Sequence, residues 1–174
     1  QPDTGSPEMA PAYPEGVFLD VSAGEAHSCA VDLEGSVHCW GEDAYGQVSE
    51  APTGAFVQVS AGTHHSCALD ASGQVQCWGA DSGEEYIDCG QASDAPFIAM
   101  RRIDVGQDHS CGITTADALH CWGAEGTCYE EPGSQITDKP IGQFRSLSAG
   151  QYSNCAISND GELKCWVYLF LDYG

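Results

Sequence analysis

The chain has 174 residues, and its 26 acidic side chains against 5 basic ones give a formal net charge of -21. That length suffices for one domain with a real core, while so negative a surface repels phosphate backbones and anionic lipids, which excludes nucleic acid and leaves salt solubility, a cationic protein partner or Ca2+ as readings of the charge. No apolar run approaches the roughly 20 residues that cross a bilayer, so membrane insertion is not expected, and the first residues do not show the basic-then-apolar order of a leader.

Residues 1–16 are rich in Pro, Ser, Asp and Glu and read as an extended arm or a site of O-linked sugar. From residue 17 to 166 the chain repeats itself: segments beginning at Phe18, Phe56, Met100 and Phe144 align without gaps over 24 positions. The repeats span about 18–55, 56–99, 100–143 and 144–166, with the length variation confined to the surface loops between them. Residues 167–174 form an apolar tail, expected to add a strand to this chain or to a neighbour.

Within each unit the first run, such as Phe56 to Ser60, alternates apolar and polar residues and ends at Ala-Gly, the pattern of a short half-buried strand. Two further runs, Ser66 to Asp70 and Gln74 to Trp78, flank a turn containing Gly73 and form a β-hairpin. Gly35 and Gly161 hold the matching place, whereas the third unit puts Asp117 and Ala118 there and is expected to need a different turn. The pairs Cys29 and Cys39, Cys67 and Cys77, Cys111 and Cys121, and Cys155 and Cys165 are each ten residues apart, so they face each other across the hairpins and four disulfides are expected. Cys89 and Cys128, in the two longest loops, remain to pair with each other or to reach other chains. Cysteine and histidine spacings for zinc are lacking. Four or five disulfides place the protein in an oxidising compartment, secreted or at the cell surface.

The recurring His27, His65 and His109 have Ser153 at the fourth copy, so they are expected to serve the fold and not a ring of ligands. Trp40, Trp78, Trp122 and Trp166 are expected to fill the space between units. The variable loops carry the candidate binding residues: Tyr45 in the first, Asp81, Glu84, Glu85, Tyr86 and Asp88 in the second, and Tyr129, Glu130 and Glu131 in the third. Tyrosines beside carboxylates suit a basic protein partner. Asp81, Glu84, Glu85 and Asp88 also supply hard oxygens for Ca2+, although no EF-hand spacing surrounds them. No nucleophile motif, phosphate-cradling loop or carboxylate pair stands out, so catalysis and an organic cofactor are not expected.

The run V-S-A-G, two variable residues, H-S-C-A, a turn glycine and then C-W-G, with Gly-Gln following as at Gly46-Gln47, resembles the repeats of the regulator of chromosome condensation family from Phe18 to Trp166. The cysteine pairs look like those of its secreted bacterial relatives. The resemblance implies an all-β fold of β-propeller-type repeats, with four-stranded blades around a central channel. Family propellers usually have seven blades, so four repeats imply a closed small ring, an open arc, or a piece of something longer. The family's best-known member is a nuclear exchange factor that binds chromatin, a role that an acidic, cysteine-rich chain does not inherit. The function expected is a non-catalytic extracellular module that self-associates, as a homo-oligomer or polymer, through repeat edges and tails. The alternative is a secreted protein-binding or inhibitory propeller acting through its acidic loops.

Overall fold

The computed structural model describes residues 14–80, 89–124 and 136–167. Each repeat contributes three strands: β1 (Phe18–Ala23), β2 (His27–Asp32) and β3 (Val37–Gly41); β4 (Phe56–Ala61), β5 (His65–Asp70) and β6 (Val75–Gly79); β7 (Met100–Val105), β8 (His109–Thr114) and β9 (Leu119–Gly123); β10 (Phe144–Ala149), β11 (Ser153–Ser158) and β12 (Leu163–Val167). Each trio is an antiparallel meander in chain order, so the chain folds as four propeller-type blades. The family resemblance implied four strands per blade, and among the described residues there are three. The first loop shows why: Asp43 Oδ1 accepts the Val48 and Ser49 amides at 2.9 and 2.8 Å, which winds residues 43–50 into compact turns where an outer strand would run.

The hairpins have the expected register. Cys29 lies opposite Cys39, Cys67 opposite Cys77, Cys111 opposite Cys121 and Cys155 opposite Cys165, with α-carbons 4.0–4.1 Å apart, and all four pairs are bonded. Cys89 is also disulfide-bonded, while Cys128, its expected partner, lies outside the described residues. Asp70 ties the second turn by accepting the Ser72 and Gln74 amides, and Asp32 does the same for Glu34 and Ser36. The expectation of a different third turn is corrected. Asp117 takes the left-handed φ of 64° where Gly35, Gly73 and Gly161 take 87°, 90° and 96°, and its amide bonds Thr114 as theirs bond Asp32, Asp70 and Ser158. Aspartate is among the few residues that tolerate this region, and here its carboxylate is held by Arg101 Nε at 2.7 Å and Asn159 Nδ2 at 3.0 Å.

The core does not lie inside the blades, since a three-stranded meander has two faces and no layer of its own to cover them. It lies between them. Cys29 and Val31 of repeat 1 pack against Phe56, Val59 and Trp78 of repeat 2. Cys67 and Leu69 meet Met100, Ile103 and Trp122 in the same way, and Cys111 and Ile113 meet Phe144, Leu147 and Trp166. This is why central strands such as β5 and β8 are buried along nearly their whole length. First strands β1, β4, β7 and β10 pack successively side by side, and the turns that follow them, Ala-Gly in three repeats and Val105-Gly106 in the third, surround one shared cavity of about 340 Å³.

Candidate functional site

The junction between successive repeats is built from the same parts three times. At the hairpin turn, the carbonyls of Gly35, Gly73 and Asp117 each accept the amide of the next repeat's first strand, from Phe56, Met100 and Phe144, all at 2.8 Å. The recurring histidines provide the second tie: His27 Nε2 lies 2.8 Å from Ser66 Oγ, and His65 Nε2 2.9 Å from Ser110 Oγ. His109 Nε2 donates to Asn154 Oδ1 at 2.8 Å, which makes Nε2 its protonated nitrogen. Burial holds all three histidines below the ordinary imidazole range, His65 down to about 3, so they stand neutral at pH 7. Third, first-strand side chains reach the next first strand: Asp20 and Ser22 accept the Val59 and Ala61 amides, and Ser60 accepts that of Val105.

The histidines therefore serve the fold, as their recurrence suggested, and three of the four tryptophans fill junctions. Sequence reasoning missed the second tryptophan contact. Trp78 Nε1 donates to the Gln47 carbonyl at 2.9 Å and Trp122 Nε1 to that of Gln91 at 3.1 Å, with both glutamines fully buried. The Gly-Gln signal at Gly46-Gln47 recurs at Gly90-Gln91 and marks where each of these loops is pinned to the next repeat's blade.

Among the described residues a fourth junction, from repeat 4 back to repeat 1, is not made. Among the described residues no hydrogen bond links the two repeats. Val21 is 65% exposed, whereas its equivalents Val59, Ile103 and Leu147 are at most 3% exposed. On the other end Leu163 is 68% exposed, against 8% for Leu119. Trp40, whose equivalents Trp78, Trp122 and Trp166 pack in the junctions with the preceding repeats, is only half-buried, as is Ser28. A Cβ on Gly35 or Gly73 would strike the next repeat's backbone, but one on Gly161 would meet nothing closer than Arg145 Nη2 at 3.9 Å. Of the closed ring, the open arc and the piece of something longer implied by the repeat number, the described residues exclude the closed ring and leave the shape of an open arc. It ends in two faces that are the unpaired halves of its own junction.

These faces predict a contrast in stability. Ile103→Ala should cost about 2–5 kcal/mol by emptying a closed junction, and Val21→Ala, at the same place in the unit, less than about 0.5 kcal/mol. Denaturant melts of both variants, at protein concentrations low enough to keep the chain monomeric, check this, and equal costs would mean that Val21 is covered within its own chain.

Of the loop residues singled out from sequence, Tyr45 is described. It is half-buried, with its ring edge-on to His64 at 4.7 Å and its carbonyl accepting the Ala80 amide at 3.1 Å. Asp81, Glu84, Glu85, Tyr86, Asp88, Tyr129, Glu130 and Glu131 lie outside the described residues, and with them the Ca2+ donor set. Among the described residues no three His, Cys, Asp or Glu side chains converge as metal ligands. Asp108, in the turn before β8, has its carboxyl raised by burial. Its neighbour in the chain is His109 of the junction.

The family model for the regulator of chromosome condensation (RCC1) repeat matches residues 18–47 and 56–91. No curated protein matches the chain in sequence. Among solved structures, the chain is similar to the CRINKLY WD40 ectodomain of the Arabidopsis thaliana receptor kinase ACR4, with 26% identity and a TM-score of 0.65 over 87% of this chain and 51% of that one. It is similar also to the ectodomain of the Physcomitrella patens receptor kinase CR4, with 27% identity and a TM-score of 0.65 over 88% of this chain and 41% of that one. Yeast RCC1 (Prp20), solved with Kap60, has 16% identity and a TM-score of 0.65 over 90% of this chain and 45% of that one, and shares the fold. The chain thus spans about half the length of the structures it resembles.

Proposed function

We propose that the chain, whose residues 18–47 and 56–91 match the regulator of chromosome condensation repeat, is a non-catalytic extracellular assembly module, in which the open face of repeat 4 of one copy docks on the open face of repeat 1 of another. One observation carries this reading. The same pair of faces meets three times inside the molecule, and the fourth pair is exposed at Val21 and Leu163. Repeat units bury their apolar faces against one another, so unpaired end faces are templates for a further unit of the same kind. The disulfides favour an oxidising compartment, and the similar receptor-kinase structures are ectodomains.

At the intermolecular junction the Gly161 carbonyl would take the Phe18 amide, as Asp117 takes that of Phe144. Ser148 would take the Ala23 amide, as Ser60 takes that of Val105. The histidine tie has no counterpart, because Ser153 and Ser28 stand at its two ends. Contact between copies is therefore weaker than the internal junctions and reversible. It is also directional, running head to tail, so it closes into a ring if the rotation allows and otherwise continues as an open chain.

Directionality gives the test. Val21→Asp spoils only the receiving face and Leu163→Asp only the docking face, and both sites are exposed in the single chain, so melting of the dilute monomer should be unchanged. Each variant alone should sediment as a monomer. An equimolar mixture should recover one junction, between the intact repeat 4 face of the first and the intact repeat 1 face of the second. Wild-type association by either variant alone, or a mixture that stays monomeric while the wild type associates, would overturn the proposal.

A further inference from the structure

Arg101, Arg102 and Arg145 are three of only five basic residues in a chain of net charge -21. They stand together. In every first strand the register slips by one residue just after the leading Phe or Met, between Phe18 and Asp20, Phe56 and Gln58, Met100 and Arg102, and Phe144 and Ser146. The extra residues are Leu19, Val57, Arg101 and Arg145. A bulge of this kind re-aims side chains, and all four line one cavity of about 370 Å³ with Arg102 beside them. The glycine turns at the other end of the same strands surround the separate cavity described above.

Two of the arginines have no structural duty there. Arg101 is committed, through Nε to Asp117 and through its guanidinium to the Phe144 carbonyl, so it braces the third turn. Arg102 occupies the position at which Asp20 and Gln58 accept the amides of Val59 and Ile103 in the next repeat. A guanidinium has no acceptor, so at this junction the tie is given up and the side chain left exposed. Among the described residues neither Arg102 nor Arg145 forms an ion pair. The one carboxylate on the cavity wall, that of Asp20, is engaged by the Val59 amide at 2.9 Å.

We propose that this cavity binds a small multivalent oxyanion, with Arg102 and Arg145 as its two forks and Arg101 fixing the wall between them. Guanidinium groups bind carboxylate, sulfate and phosphate through paired N–H donors. Placing two unpaired arginines side by side sacrifices a junction hydrogen bond, and an anion held between them relieves their mutual repulsion. The volume is in the range of small-ligand sites. Arg101, Arg102 and Arg145 are not among the residues that make the proposed contact between copies, so anion binding and association can be tested separately.

Calorimetric titration with citrate, inorganic sulfate and inorganic phosphate, at constant ionic strength, tests the proposal, and the order of the three tells a carboxylate ligand from a sulfate or phosphate one. Saturable one-to-one binding of at least one probe is expected. The double variant Arg102→Gln, Arg145→Gln should weaken it at least about tenfold, the loss of a charge-assisted pair. Lys164→Gln, which removes a basic group beside Glu162 on the outer strand of repeat 4, should leave it unchanged. No saturable binding of any probe, binding indifferent to the double variant, or equal weakening by Lys164→Gln would each overturn the assignment.

Discussion

Reduction of the hairpin disulfides is expected to unfold the whole arc at room temperature. Each bridge closes a loop of eleven residues, worth about 2.7 kcal/mol by chain entropy, so the four together contribute on the order of 10 kcal/mol. That is the size of a typical domain's entire net stability. The effect is compounded by position, because Cys29, Cys67 and Cys111 are fully buried members of the three junction clusters and not surface staples. A reduced and alkylated cysteine no longer fits there. Cys155 and Cys165 lie on the open face of repeat 4, Cys165 exposed, so their bridge should be the first to open. Near-ultraviolet circular dichroism in graded reductant, with mass mapping of alkylated thiols, checks both statements. A reduced chain that keeps its native spectrum would show that the junctions alone sustain the fold.

The second large effect is acid lability centred on the buried histidines. His65 is held at about 3 in the folded protein, by burial first and then by the neighbouring histidines, against about 6.5 unfolded. Between those values the unfolded chain binds a proton that the native one refuses. Its contribution to stability is therefore full above pH 6.5 and is lost as pH falls toward 3. The slope is about 1.4 kcal/mol per pH unit, or about 2 kcal/mol between pH 6.5 and 5 from this one residue. His27 and His109 act in the same direction. Asp108 opposes them, since its raised carboxyl gains a proton in the native state first. Denaturant midpoints at pH 7.5 and 5 should differ accordingly, and His65→Gln should be weaker at pH 7.5 but flatter with pH. A midpoint that does not move over this range would contradict a neutral, junction-bound His65.

Much of this was legible from sequence because the repeat reports the same local physics four times. Strand limits fell within a residue of Phe56–Ala61, His65–Asp70 and Val75–Gly79, since alternation, turn glycines and ten-residue cysteine spacing all point to one hairpin register. The third turn was misread because glycine looked indispensable, whereas Asp117 tolerates the left-handed conformation once Arg101 and Asn159 hold its carboxylate. The open arc was not legible, because closure depends on whether Leu163 meets Val21, residues far apart in the chain with no local signal. The arginine cavity left a trace in the alignment, where MRRIDV and FRSLSA depart from FLDVSA and FVQVSA. Only the common bulge shows that these departures line one cavity.

The most direct measurement is the mass of the oxidised chain in solution, by light scattering over a wide range of protein and salt concentrations. If repeat 4 docks on repeat 1 of another copy, mass should rise from 18.3 kDa toward twice that value or beyond. It should rise further with salt, which screens the mutual repulsion of two chains each carrying -21. A species that stays at 18.3 kDa across the whole range would contradict self-assembly through the open faces.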